Sequence, residues 1–280
     1  MNVVRLKQSL LESFKQYLYE QEKSQITIEN YVRHIREFIA YAGEVPLRKD
    51  LTVEYKNMLI RSGKYKTESI NTILASVNSF CRYLERPDCV VKVLRTQKKI
   101  YRDEKKELTK AEYLRLLKAA EKQQRLKLIV ETICATGIRV SELKYFTVEA
   151  IKSSEIAVNC KNKIRTILVP GQLKSKLLRY AEKNGITSGV IFRTNRGNPV
   201  NRSNIWLSMK KLCKDADVDP TKVFPHNLRR LFARTFYGIE HDIVKLADIL
   251  GHSSINTTRI YIMTTYMEHL KRIEKMGLVT

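Results

Sequence analysis

The chain has 280 residues, enough for two domains, and carries 52 Lys plus Arg against 29 Asp plus Glu, a formal net charge of +23 that would repel itself without a polyanionic partner. No run of about twenty apolar residues occurs and no signal-peptide pattern opens the chain, which excludes a membrane-spanning class and leads us to expect a soluble, cytoplasmic protein. Five cysteines, Cys81, Cys89, Cys134, Cys160 and Cys213, are odd in number and form no CxxC pair, which suggests neither a disulfide framework nor a zinc site, so we read them as reduced and mostly buried. Residues 1–106 hold 21 basic and 13 acidic side chains, and the remainder 31 and 16. Both parts therefore suit polyanion contact, as in a clamp; nucleic acid is the partner this implies, with an anionic membrane surface as its rival.

The first ninety residues read as four helices. Ile28, Tyr31, Val32, Ile35, Phe38, Ile39 and Ala42 repeat at helical spacing, as do Ile70, Ile73, Leu74, Val77, Phe80, Cys81 and Leu84. Shorter segments over 6–22 and 51–61 complete the set, punctuated by Gly43, Pro46 and Gly63. Arg33 and Arg36 lie off the apolar face of the second helix, and Lys64 and Lys66 just before the fourth. They read either as a solvated face or as contacts to DNA phosphates, and the basicity of the whole chain favours phosphate contact.

From about Arg86 to Lys106 the periodicity fades and charge rises. We read residues 1–88 as a helical domain, 89–106 as a basic linker and 107–280 as a second domain. Thr109 with Glu112 is a capping box that opens the next helix. RLKLIVETICATG follows, with Gly137 placed to end it in the left-handed conformation. Short β-like runs are expected over 156–158, 166–169 and 189–192, then helices over 204–216, 227–238, 242–251 and 257–276. The fold class is mainly α with a small antiparallel β-sheet.

Four clusters could carry chemistry. In TGIRVSEL, Arg139 sits between a helix end and the next helix start, either facing an anion with backbone amides or simply paired with Glu142. PHNLRRLFA sets His226 and Arg229 on one helical face, where both could hold one phosphate, with Arg230 about 100° further round. ADILGH leaves His252 beyond a helix end, as an anion donor or a surface histidine. Tyr261 lies nine residues after His252, in a helix that Asn256 or Thr257 can cap and whose buried stripe reads Ile260, Met263, Met267 and Leu270. It is either a packed aromatic or a free phenol.

Arg, His-x-x-Arg, Gly-His and Tyr in this order resemble the tyrosine recombinases, the Xer and phage-integrase group. ATGIRVSEL is similar to the segment of its first catalytic arginine, HNLRRLFA to its His-x-x-Arg box, and LGHSSINTTRIY to its Gly-His box and nucleophile. The four helices before the linker resemble its core-binding domain, so the two-domain recombinase architecture is what the resemblance implies. It also implies a site-specific DNA recombinase with Tyr261 as nucleophile, Arg139 and Arg229 on the phosphate, His226 and His252 adding hydrogen bonds, and His226 able to accept the phenol proton. A 3′-phosphotyrosyl link would store the bond energy, so neither ATP nor metal nor another cofactor is expected, and exchange between two duplexes implies a homo-tetramer on double-stranded DNA. Accessory DNA-bending proteins are a further partner class.

The leaving oxygen needs an acid, in this group a lysine on a β-hairpin, and NCKNKIRTILVP offers Lys161, our choice, or Lys163. The usual Gly-Lys-Gly-x-Lys pattern lacks both glycines here, Arg230 stands where a histidine is common, and Tyr266 is a backup nucleophile. The terminal EHLKRIEKMGLVT either docks on a neighbouring subunit or packs on its own domain. With no room expected for an arm-binding domain, a Xer-like enzyme or a compact integrase of a mobile element fits best. A type IB topoisomerase and a non-catalytic DNA-binding protein are the competing classes.

Overall fold

The computed structural model describes residues 5–95, 104–153, 155–160, 163–263, 270–271 and 273–277. The chain divides into two compact units, 1–98 and 99–280. Each has its own core.

The first unit holds α1 (Leu10–Glu20), α2 (Gln25–Ala42), α3 (Lys49–Arg61) and α4 (Thr67–Tyr83). The apolar stripes read from the sequence point inward: Phe14, Ile35, Phe38, Leu74, Val77 and Phe80 are wholly buried, and Phe14 meets Phe80 edge to face at 5.0 Å. Residues 89–95, read as the start of the linker, lie along α3 and α4. Asn78 donates to the Val91 carbonyl and accepts from its amide, both at 2.9 Å, and Asn71 does the same for Leu94 at 2.9 and 2.8 Å. Thr52 Oγ1 donates to the Cys89 carbonyl at 2.8 Å. An asparagine amide imitates a neighbouring strand, giving an extended backbone partners that hydrophobic periodicity does not reveal.

The second unit begins with α5 (Lys110–Ala119), opened by the expected box: Glu112 N donates to Thr109 Oγ1 at 3.1 Å and Thr109 N to Glu112 Oε2 at 2.7 Å. It continues through α6 (Gln124–Thr136), a 3₁₀ segment Val140–Tyr145, α7 (Val148–Ser153), β1 (Glu155–Cys160), β2 (Lys163–Leu168) and α8 (Gly171–Lys183). Then come α9 (Arg202–Asp215), α10 (Pro225–Glu240), α11 (Ile243–Leu250) and α12 (Ile255–Ile262). Among the described residues the sheet is the single antiparallel pair β1 and β2, in register from Glu155 opposite Leu168 to Cys160 opposite Lys163.

Several readings need correction. The run 189–192 is no strand: Gly189 turns at φ +75° and only Val190 bridges, to Thr147. No helix was read over α8, which buries Leu173, Leu177 and Ala181 at a spacing of four amid charged neighbours. The last helix is not continuous through 257–276, because α12 ends at Ile262 and Met263 is extended. It is capped by Ser254, whose Oγ accepts from Asn256 N, rather than by Asn256 or Thr257. Its buried face carries Thr258 and Tyr261 while Ile260 is exposed, since α12 packs on α10 and α11 through a small cluster of Ala233, Leu246, Leu250 and Tyr261.

Candidate active site

Two glycines set the geometry. Gly137 ends α6 at φ +63°, and a Cβ there would lie 2.3 Å from the Phe232 ring. The turn it makes carries the chain through buried Ile138 to Arg139. Gly251 ends α11 at φ +62°, where a Cβ would lie 2.4 Å from Arg165 Cδ.

The last carbonyls of α11 each meet a different arginine. Arg165 Nη1 donates to Ile249 O, Arg229 Nη2 to Leu250 O at 2.6 Å, and Arg139 Nη2 to Gly251 O at 3.3 Å. Arg229 Nη1 also donates to Gly137 O, at the end of α6, at 2.5 Å. Unpaired carbonyls at helix C-termini carry partial negative charge, which is why a guanidinium exposed by only 2% is tolerated there. Burial first, then the charge of Arg139, lowers the Arg229 pKa to about 10, so it stays cationic at neutral pH. Glu142, fully buried, accepts from Arg139 Nη1 at 3.0 Å, Arg165 Nη2 at 2.5 Å and the Arg139 amide at 2.8 Å. Burial alone would raise its carboxyl, but that amide and the two guanidinium groups outweigh it and hold the pKa below the usual range. Three cations against one carboxylate leave the site positive, suited to a phosphodiester.

Gly251→Ala should break this arrangement twice, by strain at a left-handed residue and by displacing Arg165 from Glu142. We expect a loss of roughly 1–3 kcal/mol, read as a fall in thermal midpoint of several degrees by calorimetry.

His226 and Arg229 come from the first turns of α10, where Pro225 occupies a position that needs no amide donor. Tyr261, 6% exposed, has its ring edge-on to His226 and to His252, each at 5.2 Å between centroids. Arg229 Nη2 lies 2.9 Å from His252 Nε2, and because arginine only donates, Nε2 accepts. The proton of neutral His252 is thus on Nδ1, donated to Thr258 Oγ1 at 2.8 Å. A cleft of about 690 Å³ opens over the site, lined by Arg139, Ser141, Arg202, Trp206, His226 and Arg229 among others.

Both histidines are pushed down to about 4. For His226, although part of its surface stays exposed, the causes are desolvation of the ring, then Arg230, Arg229 and Arg139; for His252, burial, then Arg229, Arg139 and Arg165. The folded values lie below the unfolded reference near ~6.5, so the unfolded chain binds more protons between these limits. Stability is complete above that reference and is lost as pH falls toward about 4. Thermal midpoints measured from pH 7 to pH 5 should therefore decline, and decline less when His226 and His252 are both changed to Gln.

The fold thus gathers Arg139, His226, Arg229, His252 and Tyr261. Arg139 pairs with Glu142, as one of its two readings had it, and also lines the cleft. Lys161 and Tyr266 lie outside the described residues, and Lys163 opens β2 opposite Cys160. In the first unit, Arg33 and Arg36 are exposed on α2, and Lys64 and Lys66 are exposed just before α4. Sequence reasoning missed Arg165, whose signal was an arginine two residues from buried Ile167 on the inward face of β2, opposite buried Val158. It also missed Arg202 and set Arg230 aside, yet the Arg230 guanidinium carbon stands 5.9 Å over the Tyr261 ring. Among the described residues no group of three or more His, Cys, Asp or Glu could hold a metal ion, and no helix is long and apolar enough to cross a membrane.

Family models match both units: the phage integrase family over residues 106–268, and the phage integrase N-terminal SAM-like domain over 11–87. A relative named tyrosine recombinase XerA, from Pyrococcus horikoshii, is 30% identical over 277 residues, 96% of this chain and 94% of that protein. The crystal structure of XerA recombinase aligns over 98% of this chain and 100% of that one, with 25% identity and a TM-score of 0.52. In fold alone, a lambda integrase tetramer bound to a Holliday junction is similar with a TM-score of 0.73 at 22% identity, covering 93% of this chain and 78% of that one.

Proposed function

The chain belongs to the phage integrase family, and we propose that it is a site-specific DNA recombinase that cuts and rejoins strands through a phosphotyrosyl intermediate on Tyr261. One observation carries this reading. A tyrosine ring set edge-on between two histidines, one of them bonded to a buried arginine, is assembled from the ends of α6 and α11 and from α10 and α12, segments far apart in the chain.

A phosphodiester resists attack because its charge repels nucleophiles and its alkoxide leaves poorly. Arg139 and Arg229 neutralise the phosphorane oxygens, since their fork-shaped donors match two oxygens at once and stay charged throughout. A phenol has a reference pKa of about 10, so its proton must be taken as the O–P bond forms. His226, neutral and beside the ring, is the acceptor. His252, its Nδ1 proton held by Thr258, keeps Nε2 as the acceptor that orients Arg229 toward the phosphate, and donates to a phosphate oxygen only after Nε2 has taken up a proton. The strand leaves as a 5′-hydroxyl, protonated by the hairpin lysine, Lys161 in our reading. Phosphorus is thereby exchanged between two oxygens, the energy of the broken bond is kept, and the reverse reaction with another strand's hydroxyl completes recombination without ATP.

Exchange needs four cleavable strands, which supports a tetramer on DNA, the assembly of the lambda integrase structure of similar fold. Arg33, Arg36, Lys64 and Lys66 provide exposed cations on the first unit for phosphate contact. DNA as the substrate supports a cytoplasmic site of action. Integration or excision of a mobile element and Xer-like resolution use the same chemistry.

The test is to incubate the protein with a library of nicked duplexes, trap covalent complexes with denaturant and sequence the bound DNA. Enrichment of one inverted-repeat site, with recombination of two plasmids carrying it, supports the proposal. Relaxation of supercoiled plasmid by a monomer with no sequence enrichment would assign a type IB topoisomerase instead.

A further inference from the structure

Arg230 lies where α10 meets both the nucleophile and the start of the second unit. Its guanidinium stands over the Tyr261 ring at 5.9 Å, while its Nη1 is 3.7 Å from Glu107 Oε1. Glu107 already has a closer cation, Arg234 Nη1 at its Oε2, and the Arg234 Nη2 donates to Leu108 O at 2.6 Å. Asn227, on the same face of α10, donates to Lys106 O at 3.0 Å. Residues 106–108 are thus stitched to α10 by Asn227 and Arg234 without Arg230. Its Nε is buried with no hydrogen-bond partner among the described residues, so its placement rests on the ring beneath it and the carboxylate at its edge.

We infer that Arg230 is a positioning residue for the nucleophile, its cationic face covering the Tyr261 ring and Glu107 holding it there. The two histidine rings stand at 76° and 69° to the Tyr261 ring, each 5.2 Å from it between centroids. A cation over the face of a ring is attracted by the ring quadrupole, and the attraction grows with desolvation. Here the Arg230 side chain is 27% exposed and Glu107 14%. The three groups hold the phenol oxygen in one direction of approach to phosphorus, and small misplacements of reacting atoms are costly in rate. The inference rests on Tyr261 being the nucleophile.

The experiment compares single-turnover cleavage of a nicked duplex by the full chain, Arg230→Ala, Arg230→Lys and Glu107→Gln. The same Arg230 changes are made in a Tyr261→Phe background supplied with hydrogen peroxide as an external nucleophile. Arg230→Ala should slow tyrosine cleavage roughly 10- to 30-fold at unchanged DNA affinity, with Arg230→Lys recovering part of the rate and Glu107→Gln losing less. Peroxide-driven cleavage, which needs the phosphate site but not the oriented phenol, should be the same with Arg230 or Ala. Equal losses in both reactions would assign Arg230 to the phosphate and overturn the proposal, as would an unchanged tyrosine rate. If Arg230→Ala does not fold, Arg230→Lys and Glu107→Gln decide by the same comparison. Absence of tyrosine cleavage in the unaltered protein would instead overturn the reading beneath it.

Discussion

Tyr261→Phe is expected to abolish covalent attachment to DNA, lowering cleavage by at least about 10³-fold, while duplex affinity and thermal midpoint stay close to those of the unaltered protein. The ring is what packs against Ala233, Leu246 and Leu250 and lies edge-on to the two histidines, and phenylalanine keeps it. Only the oxygen is lost. Gel analysis of denatured protein–DNA mixtures reads the covalent adduct, and anisotropy with a labelled duplex reads affinity.

Arg229→Lys is expected to have the second largest effect. Arg229 serves Gly137 O, Leu250 O and His252 Nε2 at once from a site that is 2% exposed. An ammonium group is one compact charge and cannot span three acceptors laid out for a planar fork. Loss of such a donor from a phosphoryl site should slow cleavage by about 10²–10³-fold. A helix-terminal carbonyl left without a partner should cost about 1–3 kcal/mol of stability. Single-turnover rates and calorimetry separate the two losses, because Gly251→Ala should show the stability loss through displacement of Arg165 while Arg229 keeps its own acceptors.

Much of this architecture was legible in the sequence because its signals are local. The stripes of α2 and α4, the Thr109 and Glu112 box, and the glycines that end α6 and α11 are each set by spacing within one or two turns. The order of Arg139, His226, Arg229, His252 and Tyr261 pointed to one site because the resemblance supplied the contacts that spacing could not. What escaped was tertiary. Residues 89–95 carry no periodicity, and only the side-chain amides of Asn71 and Asn78 reveal that they are fixed to α4. Arg165, just before the run 166–169 read as a strand, was given no role, and it is α11 and the 3₁₀ segment that bring Ile249 and Glu142 to it. Arg230 was set aside from helical geometry alone, but a side chain of that length can reach round α10 to a ring delivered by α12. The buried face of α12 was misread for the same reason: Tyr261 fills a space made by α10 and α11, and Ile260 does not.

The most direct test is to identify the atom that DNA joins. Trapped complex on a nicked duplex would be digested with nuclease and trypsin, and the nucleotide-bearing peptide sequenced by fragmentation, which must resolve Tyr261 from Tyr266 because both fall between Arg259 and Lys271. A 3′-linked nucleotide on residue 261, with a free 5′-hydroxyl on the released strand, is the result expected. A nucleotide on residue 266, a 5′-phosphate linkage or no adduct at all would contradict the account.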